Sequence, residues 1–429
     1  LFPLESELDQ AGGLTIGRHS VRELARQWGT PLYLYHAGTF YDRVNTLRCL
    51  LEENYEGSAE ISYAGKTYLS YKFAKILNQC GLTLDTVSIG EMKIARKAGF
   101  DPARIHLNGN NKTREELEFA LEWGIDSIVV DSPDELEFLT TLASQQKKKA
   151  NIWLRITPGV EVDTHPFVQT AHPASKFGFP IEDGQASRGI QYAKANPWVN
   201  LKGLHMHIRS QLFQVEPYLK ALQSIFQLAE SEGLVLEQIS PGGGMGVPYV
   251  PGEKEVDLPQ FISFVANVIK QECSRLGWKL PKLVLEPGRY LIAKAGVSVY
   301  SIGTIKQSSD GTRFAAVDGG MSDNPRPALY DSKYTALVLD KPVGEDGKRY
   351  KVVGKLCESG DRLITSALLP ADIQRGDYLV IPVSGAYQLS MSSNYNLVGR
   401  PAVLWLEEDH IEVLQQREHV DQMKWWMGD

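Results

Sequence analysis

The sequence predicts an α/β protein: a (β/α)8 (TIM) barrel followed by a second domain rich in β-strands, barrel-like or sandwich-like. Short apolar runs typical of strands alternate with amphipathic stretches, this alternation covers the length of one barrel, and the pattern changes after Gly288. We expect an N-terminal segment, 1–36, that joins the β-domain, the barrel over 37–289, and the β-domain over 290–429.

Eight runs rich in apolar residues are the predicted barrel strands. They begin near Ile61, Leu82, Arg104, Ser127, Ile152, Lys202, Gln238 and Leu283. Amphipathic stretches such as 88–98 and 113–123 lie between them and predict helices. Eight repeats over about 230 residues match a single barrel. A doubly wound sheet would also alternate, but the glycine fingerprint after its first strand is missing.

The sequence pattern in the last third of the chain is typical of a β-domain. Alternating segments at 296–305, 313–320 and 377–385 are separated by turns containing Gly and Asp. The apolar run at 31–35, PLYLY, precedes the barrel, and we expect it to add a strand to this second domain.

Composition excludes several classes of partner. The 429 residues carry a net charge of −7, and the short basic run at 147–149 is typical of a solvated helix end, so we expect no nucleic-acid or membrane partner. No apolar run approaches the ~20 residues of a membrane span, and the opening residues lack the pattern of a signal peptide. Four scattered cysteines without a CxxC pair favour the cytoplasm; they are Cys49, Cys80, Cys273 and Cys357.

Polar residues stand where the predicted barrel strands end. They are Lys66, Asp85, Asn108, Asp131, Arg155, His207, the loop 242–244 and Glu286. Barrel enzymes carry their chemistry at the carboxyl ends of the strands. We therefore expect these groups to converge on one mouth.

Two of these features suit a phosphorylated carbonyl cofactor. Lys66 closes an apolar strand, where desolvation favours the neutral amine that forms a Schiff base, although an isolated strand-end lysine is more often simply solvated. The glycines at 242–246 allow backbone N–H groups to approach an anion, and barrels often bind phosphate after strands seven and eight. A glycine run alone is more often a flexible turn.

The remaining features suit the ring of such a cofactor. His205 and His207 lie two apart on a strand; they could bind a metal or pack in the core, but we favour a His207 that stacks on an aromatic cofactor. Glu286 could hold a ring nitrogen protonated. A Schiff-base lysine, a phosphate loop, a ring-stacking group and a ring-nitrogen partner together predict pyridoxal 5′-phosphate (PLP). We expect no metal.

Ordered motifs along nearly the whole chain resemble the fold type III, alanine-racemase-like PLP decarboxylases, and within them the diaminopimelate decarboxylase group. The motifs are SYAGK (62–66), SKFG (175–178), GLHMHIRSQ (203–211), GGGMG (242–246), EPGR (286–289), RPALY (326–330), CESGD (357–361) and GAYQLSMSSNYNLVGRP (385–401). CESGD and SMSSNYN point to this group in particular.

The resemblance implies roles for individual residues. The implied cofactor-binding residues are Lys66, Asp85, Arg155, His207, Ser210, Gly243, Gly244, Glu286 and Tyr387. Lys66, His207 and Cys357 are the implied catalytic residues, with Cys357 donated by the other subunit of a homodimer that shares its active sites. Arg289, Arg326, Tyr330 and Glu358 resemble the group that reads the far end of an amino-acid substrate, since arginines suit a carboxylate and Glu358 suits an ammonium.

The expected reaction is decarboxylation of meso-2,6-diaminopimelate to L-lysine and CO2. The alternatives are a related PLP decarboxylase of D-lysine, D-ornithine or a siderophore intermediate, a metal-dependent barrel hydrolase that uses His205 and His207, and an inactive regulatory homologue. One departure from the family pattern is HIRSQ in place of HIGSQ, which puts Arg209 where a glycine is usual. Arg209 could contact the phosphate or reshape the pocket. Another is SYAGKTY in place of YAVKAN.

Overall fold

The computed structural model describes residues 1–159 and 175–428. These residues divide into two compact units: a β-unit of 1–44, 247–254 and 289–429, and a barrel unit of 45–246 and 255–288. The domain limits expected from the sequence stay a prediction, and the expected barrel range, 37–289, includes 160–174, which lie outside the described residues.

Strands are numbered along the described chain. They are β1 (Ser6–Leu8), β2 (Leu14–Ile16), β3 (His19–Ser20), β4 (Leu32–His36), β5 (Ala59–Ala64), β6 (Thr83–Thr86), β7 (Ile105–Leu107), β8 (Ser127–Val130), β9 (Ala150–Thr157), β10 (Phe179–Pro180), β11 (Val199–His205), β12 (Gln238–Gly242), β13 (Lys282–Leu285), β14 (Gly296–Gln307), β15 (Arg313–Val317), β16 (Leu337–Val338), β17 (Lys348–Val353), β18 (Arg362–Leu369), β19 (Tyr378–Ile381), β20 (Ala402–Leu406) and β21 (Ile411–Gln415).

Helices are numbered in the same way. They are α1 (Val21–Trp28), α2 (Ala37–Asn54), α3 (Tyr71–Gln79), α4 (Ile89–Lys97), α5 (Arg114–Trp123), α6 (Pro133–Gln146), α7 (Gln185–Ala195), α8 (Glu216–Ser231), α9 (Leu258–Leu276), α10 (Arg289–Ile292), α11 (Arg326–Tyr330) and α12 (Lys424–Met427). No described helix is both long enough and apolar enough to cross a membrane.

The described barrel unit contains a closed parallel sheet. Its eight strands pair in the order β5, β6, β7, β8, β9, β11, β12 and β13, and β13 pairs again with β5. The short β10 extends this sheet from β9. Helices follow most strands, which confirms the (β/α)8 barrel expected from the alternation.

Local sequence explains why helices start where they do after the barrel strands. Side chains of Ser, Thr or Asp accept a hydrogen bond from a backbone N–H in the first turn of α3, α4, α5, α6 and α9; these caps are Ser70, Ser88, Thr113, Ser132 and Asp257. At α5, Glu116 completes a capping box with Thr113. The chain therefore reverses at defined points after β5, β6, β7, β8 and β12, and the ends of these strands are held in place.

Side chains from both neighbouring and distant strands fill the barrel interior. Val129 on β8, Trp153 on β9 and Val284 on β13 form one buried cluster. Trp153 is fully buried, and its indole Nε1 donates to Gln238 Oε1 on β12 at 2.6 Å. Strands β9 and β13 are separated by two others, so these contacts cross the inside of the ring.

The β-unit is built on a mixed sheet with nine described strands. Its longest member, β14, pairs with β4 and β19 through its first half and with β15 through its second half. The run PLYLY forms β4, which lies between β14 and β20. Buried Leu34, Val299 and Leu404 belong to the core of this sheet. A second domain rich in β-strands was expected, and the structure confirms it as a mixed sheet.

Candidate active site

Lys66 lies directly after the first barrel strand. It occupies a 3-10 turn, Gly65–Thr67, that follows β5. Its side chain is exposed, and within the described residues no hydrogen bond or ion pair engages its ammonium group. The amine is therefore accessible at the carboxyl end of the barrel.

Asp85 and Asn108 come from the next two strands. Asp85 is buried near the end of β6, and Asn108 follows β7. The Asn108 amide donates to Asp85 Oδ1 at 2.5 Å. Burial and the nearby charge of Glu286 raise the pKa of Asp85 above its ordinary value.

Glu286 follows β13 and is held by two donors from adjacent strands. His205 Nε2 lies 3.0 Å from its Oε2, and Ser240 Oγ donates to its Oε1 at 2.9 Å. Burial alone would raise the pKa of Glu286, but the charge and hydrogen bond of His205 lower it below its ordinary value. Of these two buried carboxyl groups, Glu286 is the more readily ionised.

His207 lies two residues beyond the end of β11 and is half-buried. The Gly243 backbone N–H donates to its Nδ1 at 3.4 Å. Burial and the positive charges of Lys66 and Arg155 lower the pKa of His207 well below its ordinary value. A neutral imidazole therefore stands beside the glycine loop.

The glycines of the loop after β12 are required by close backbone contacts. A Cβ on Gly243 would lie 2.0 Å from the Glu286 carbonyl oxygen, and one on Gly244, where φ is 106°, would lie 2.1 Å from the Arg209 carbonyl oxygen. The Tyr218 hydroxyl donates to the Gly243 carbonyl. Any larger residue would force the loop apart.

The loop carrying Ser210 is hydrogen-bonded to this glycine loop. The Leu212 N–H donates to the Gly244 carbonyl at 2.8 Å, and the Gly246 N–H donates to the Leu212 carbonyl at 2.9 Å. The left-handed residue here is Gln211, with φ of 60°, rather than Arg209. Arg209 therefore fits the usual glycine position without backbone strain, and its side chain donates to the Gln211 carbonyl at 3.2 Å.

Arg155 and Asp131 complete the barrel mouth. Arg155 lies near the end of β9, with its guanidinium 3.8 Å from the carboxylate of Asp131, which follows β8. The guanidinium stacks on Phe177 at 4.4 Å, and Asp131 accepts from the Gly178 N–H at 3.0 Å. These two contacts join the SKFG segment to the mouth.

The barrel residues fit a PLP group. The mouth offers an exposed amine, a buried anion, a neutral imidazole and a loop whose backbone leaves no room for side chains. A phosphate needs backbone N–H groups at close range, and a pyridine nitrogen needs an anionic partner.

Two arginines of the β-unit gather around one tyrosine. Arg289 donates to the Tyr249 hydroxyl at 2.5 Å, and the Arg326 guanidinium lies 4.8 Å from the Tyr249 ring centre. Arg326 also donates to the Tyr334 hydroxyl at 2.5 Å. Burial would raise the pKa of Tyr249, yet the two guanidinium charges lower it. This cluster is strongly positive and suits an anionic ligand.

Of the other predicted site residues in the β-unit, two tyrosines lie near the arginines in space or in sequence, and the remaining two residues are exposed. Tyr387 places its ring 4.6 Å from the Arg289 guanidinium, and half-buried Tyr330 ends α11, the helix that Arg326 begins. Cys357 and Glu358 are exposed. The Cys357 N–H donates to Asn396 Oδ1 at 3.0 Å, which ties CESGD to the SMSSNYN segment.

Ser240, Tyr249 and Tyr334 are site residues that the sequence did not reveal. Ser240 stands inside β12 before the glycine loop, and the two tyrosines stand in the segments VPYVP (247–251) and SKYTA (332–336). No local motif marks them, since their roles come from contacts with distant residues. In residues 1–159 and 175–428, no group of three or more His, Cys, Asp or Glu side chains is arranged to hold a metal.

Comparison with known proteins agrees with this geometry. Residues 41–293 match the family model for the pyridoxal-dependent decarboxylase, pyridoxal binding domain. The diaminopimelate decarboxylase of Actinosynnema pretiosum is 40% identical over 422 residues, which cover 97% of this chain and 93% of that protein. The Bacillus subtilis enzyme of the same name is 37% identical, covering 96% and 94%.

A solved structure resembles this chain over almost its whole length. Diaminopimelate decarboxylase from M. jannaschii in complex with L-lysine superposes with a TM-score of 0.90 at 30% identity, covering 98% of this chain and 96% of that one. Taken with the sequence matches, this likeness shows that the chain belongs to the pyridoxal-dependent decarboxylases, in the family of the diaminopimelate decarboxylases.

Proposed function

We propose that this protein is a PLP-dependent carboxy-lyase that converts meso-2,6-diaminopimelate to L-lysine and CO2. The observation that carries the proposal is the buried pair Arg289 and Arg326 around Tyr249, because it offers a site for a second carboxylate that a simple diamino acid lacks. The names of the relatives and the lysine complex of the M. jannaschii enzyme support the same substrate.

In this proposal the barrel unit holds the cofactor. Lys66 would hold PLP through its amine, His207 would lie against the ring, and Glu286 would hold the ring nitrogen. The phosphate would be bound by Ser210, Gly243 and Gly244, while Asp85 and Arg155 would complete the surroundings. Bound PLP supplies a sink for the electron pair left when CO2 departs.

Residues of the β-unit bind the end of the substrate that lies away from the departing carboxylate. Arg289, Arg326 and Tyr330 bind the distal carboxylate, and Glu358 binds the distal ammonium. Cys357 delivers the proton that replaces the lost carboxylate. Its exposure supports this role, since an exposed thiol can meet a group of another subunit.

We further propose a homodimer in which Cys357 and Glu358 serve the partner's active site. Support comes from the exposed apolar side chains of Tyr395 and Leu397 next to Cys357, which are 42% and 51% exposed. Such side chains close to functional groups are typical of a surface covered in an assembly. A cytoplasmic location is supported by four cysteines that are all free thiols.

A substrate panel tests the function directly. CO2 release should be measured with meso-diaminopimelate, D-lysine, D-ornithine and L-lysine at equal concentrations. We expect meso-diaminopimelate to give the highest kcat/KM, by a factor that can reach ~10⁴ when buried polar groups are left unpaired by the lesser substrate. Equal rates with D-lysine or D-ornithine would replace this proposal with the related decarboxylase of those amino acids.

A further inference from the structure

The carboxylate of Glu286 has an unusual support inside the barrel. His205 is the last residue of β11, and the strand register pairs it with Ser240 on β12. Both side chains reach Glu286, one at each carboxylate oxygen, at 3.0 and 2.9 Å. The carboxylate is thus held on both oxygens by side chains of adjacent strands.

Glu286 is the hydrogen-bond partner that the structure gives to His205. Its Nε2 faces Glu286, whereas its Nδ1 is buried and has no hydrogen-bond partner among the described residues. A carboxylate oxygen can only accept, so His205 Nε2 carries the proton of this hydrogen bond and the imidazole is the donor to Glu286.

The plane of the imidazole is set by its neighbour. The His205 ring is stacked on Trp153 with an interplanar angle of 15° and a centroid separation of 6.3 Å. Trp153 is itself fixed by its hydrogen bond to Gln238 and by packing against the His106 ring, with 4.5 Å between the two ring centres. Rotation of His205 away from Glu286 is therefore opposed by the packing of the barrel interior.

Asp85 is a natural comparison within the same mouth. Both carboxyl groups are buried, but the partner of Asp85 is the amide of Asn108. The pKa of Asp85 is raised, and that of Glu286, which has His205, is lowered. The carboxyl group whose pKa is lowered, Glu286, is the one that has a histidine as its hydrogen-bond partner.

We propose that His205 is a positioning residue that, through its Nε2–H and its stacking on Trp153, keeps Glu286 ionised and aimed at the ring nitrogen of PLP. Ser240 has the same role at the other oxygen. This inference rests on the proposed function, because it requires PLP in the barrel mouth with Glu286 at its nitrogen.

The test compares two amide variants. In His205→Gln the amide nitrogen can occupy the place of Nε2, whereas in the shorter His205→Asn it cannot reach Glu286. Each protein is reconstituted with PLP labelled with 15N at the ring nitrogen, and the 15N chemical shift reports directly whether that nitrogen is protonated. The dissociation constant of PLP, kcat, KM and Tm are measured on the same samples.

We expect His205→Asn to move the ring-nitrogen signal towards the unprotonated form. Its kcat should fall by roughly 10- to 100-fold with little change in KM, which is the range observed when the partner that orients a metal ligand is removed. His205→Gln should keep the signal near that of the wild type, with a kcat well above that of His205→Asn. Ser240→Ala, a small change that leaves His205 in place, should shift the signal in the same direction by less.

The possible outcomes distinguish a failure of the role of His205 from a failure of the proposed function. A protonated ring nitrogen in both His205→Asn and Ser240→Ala, or equal losses of kcat in the Gln and Asn variants, would overturn the role of His205. If His205→Asn does not fold, the other two variants decide. An unshifted 15N signal in Ser240→Ala together with a shifted 15N signal in His205→Gln would then overturn the role of His205. Wild-type protein that neither binds PLP nor releases CO2 would instead overturn the proposed function.

Discussion

At the residue scale, similar side chains at the barrel mouth differ in pKa because their hydrogen-bond partners and neighbouring charges differ. Asp85 and Glu286 are both buried carboxyl groups, yet their pKa values are displaced in opposite directions. His207 is kept neutral by burial and by the positive charges of Lys66 and Arg155. The opposite pKa shifts of these two carboxyl groups thus follow from their local donors and charges.

The exposed amine of Lys66 leads to the first prediction. Lys66→Ala should abolish the absorbance of lysine-bound PLP together with CO2 release, because Lys66 directly follows a barrel strand and its amine is exposed, whereas the ammonium group of Lys112, in the loop after β7, is occupied by three acceptors. Absorption spectra and CO2 release check this result. Lys75→Ala on α3, an exposed lysine, is the control and should resemble the wild type. An unchanged absorbance band in Lys66→Ala would place the cofactor lysine elsewhere.

The arginine cluster leads to the second prediction. Arg326→Ala should lower kcat/KM for meso-diaminopimelate by about 30- to 5,000-fold, since truncating one partner of a buried charge pair typically costs ~2–5 kcal/mol. The cofactor spectrum should hardly change, and activity on D-lysine should fall far less. Arg275→Ala, which removes only exposed ion pairs, is the matched control. Equal losses on both substrates would contradict a role at the distal carboxylate.

At the scale of elements, loops above the barrel are held by buried polar contacts. Lys112, in the loop after β7, donates to Glu135 Oε1 on α6 at 2.7 Å and to the Val129 carbonyl at 2.6 Å. It also donates to the Gly109 carbonyl at 2.7 Å. All three ammonium protons are therefore used, and the loop is tied to the next strand and helix.

Removal of this lysine should destabilise the barrel. Lys112→Ala leaves Glu135 buried without its cation, and we expect a loss of ~3–5 kcal/mol in the free energy of unfolding. The double variant Lys112→Met, Glu135→Leu should recover most of that loss, since the isolated charge is gone. Urea denaturation followed by tryptophan fluorescence measures both.

The exposed ion pair of Lys93 and Glu115 provides the control. Their side chains are 58% and 71% exposed, so Lys93→Ala should change stability by less than about 1 kcal/mol. A similar small effect for Lys112→Ala would mean that water or the loop itself compensates for the lost charge.

At the scale of the whole molecule, the proposed homodimer shares active-site residues between its two chains. Lys66 belongs to the barrel unit, whereas Cys357 and Glu358 belong to the β-unit. If the latter serve the partner's site, no single subunit is complete. Symmetry then gives each dimer two identical shared sites.

Subunit mixing tests this arrangement. Lys66→Ala and Cys357→Ala should each be inactive alone, and random exchange makes half of the dimers mixed, with one intact site each. Activity should therefore recover to up to about a quarter of the wild-type value. Mass spectrometry of differently tagged subunits verifies the exchange. No recovery after verified exchange would mean that Cys357 acts within its own subunit.

Local patterns along the chain were enough to predict the barrel, the second β-domain and the order of polar groups at the strand ends. Strand and helix periodicities are properties of short segments, and barrel enzymes place their chemistry at a known end of the strands. The positions of Lys66, the glycines at 242–244 and Glu286 at the strand ends therefore follow from the sequence alone.

Tertiary structure alone revealed what each of these groups touches. His205 and Ser240 meet Glu286 across 81 and 46 positions of sequence, and Tyr249 meets Arg289 across 40. Such contacts depend on the register of neighbouring strands and on how loops close, which no short segment encodes. The supports that set the charge of Glu286 are for this reason visible only in the folded molecule.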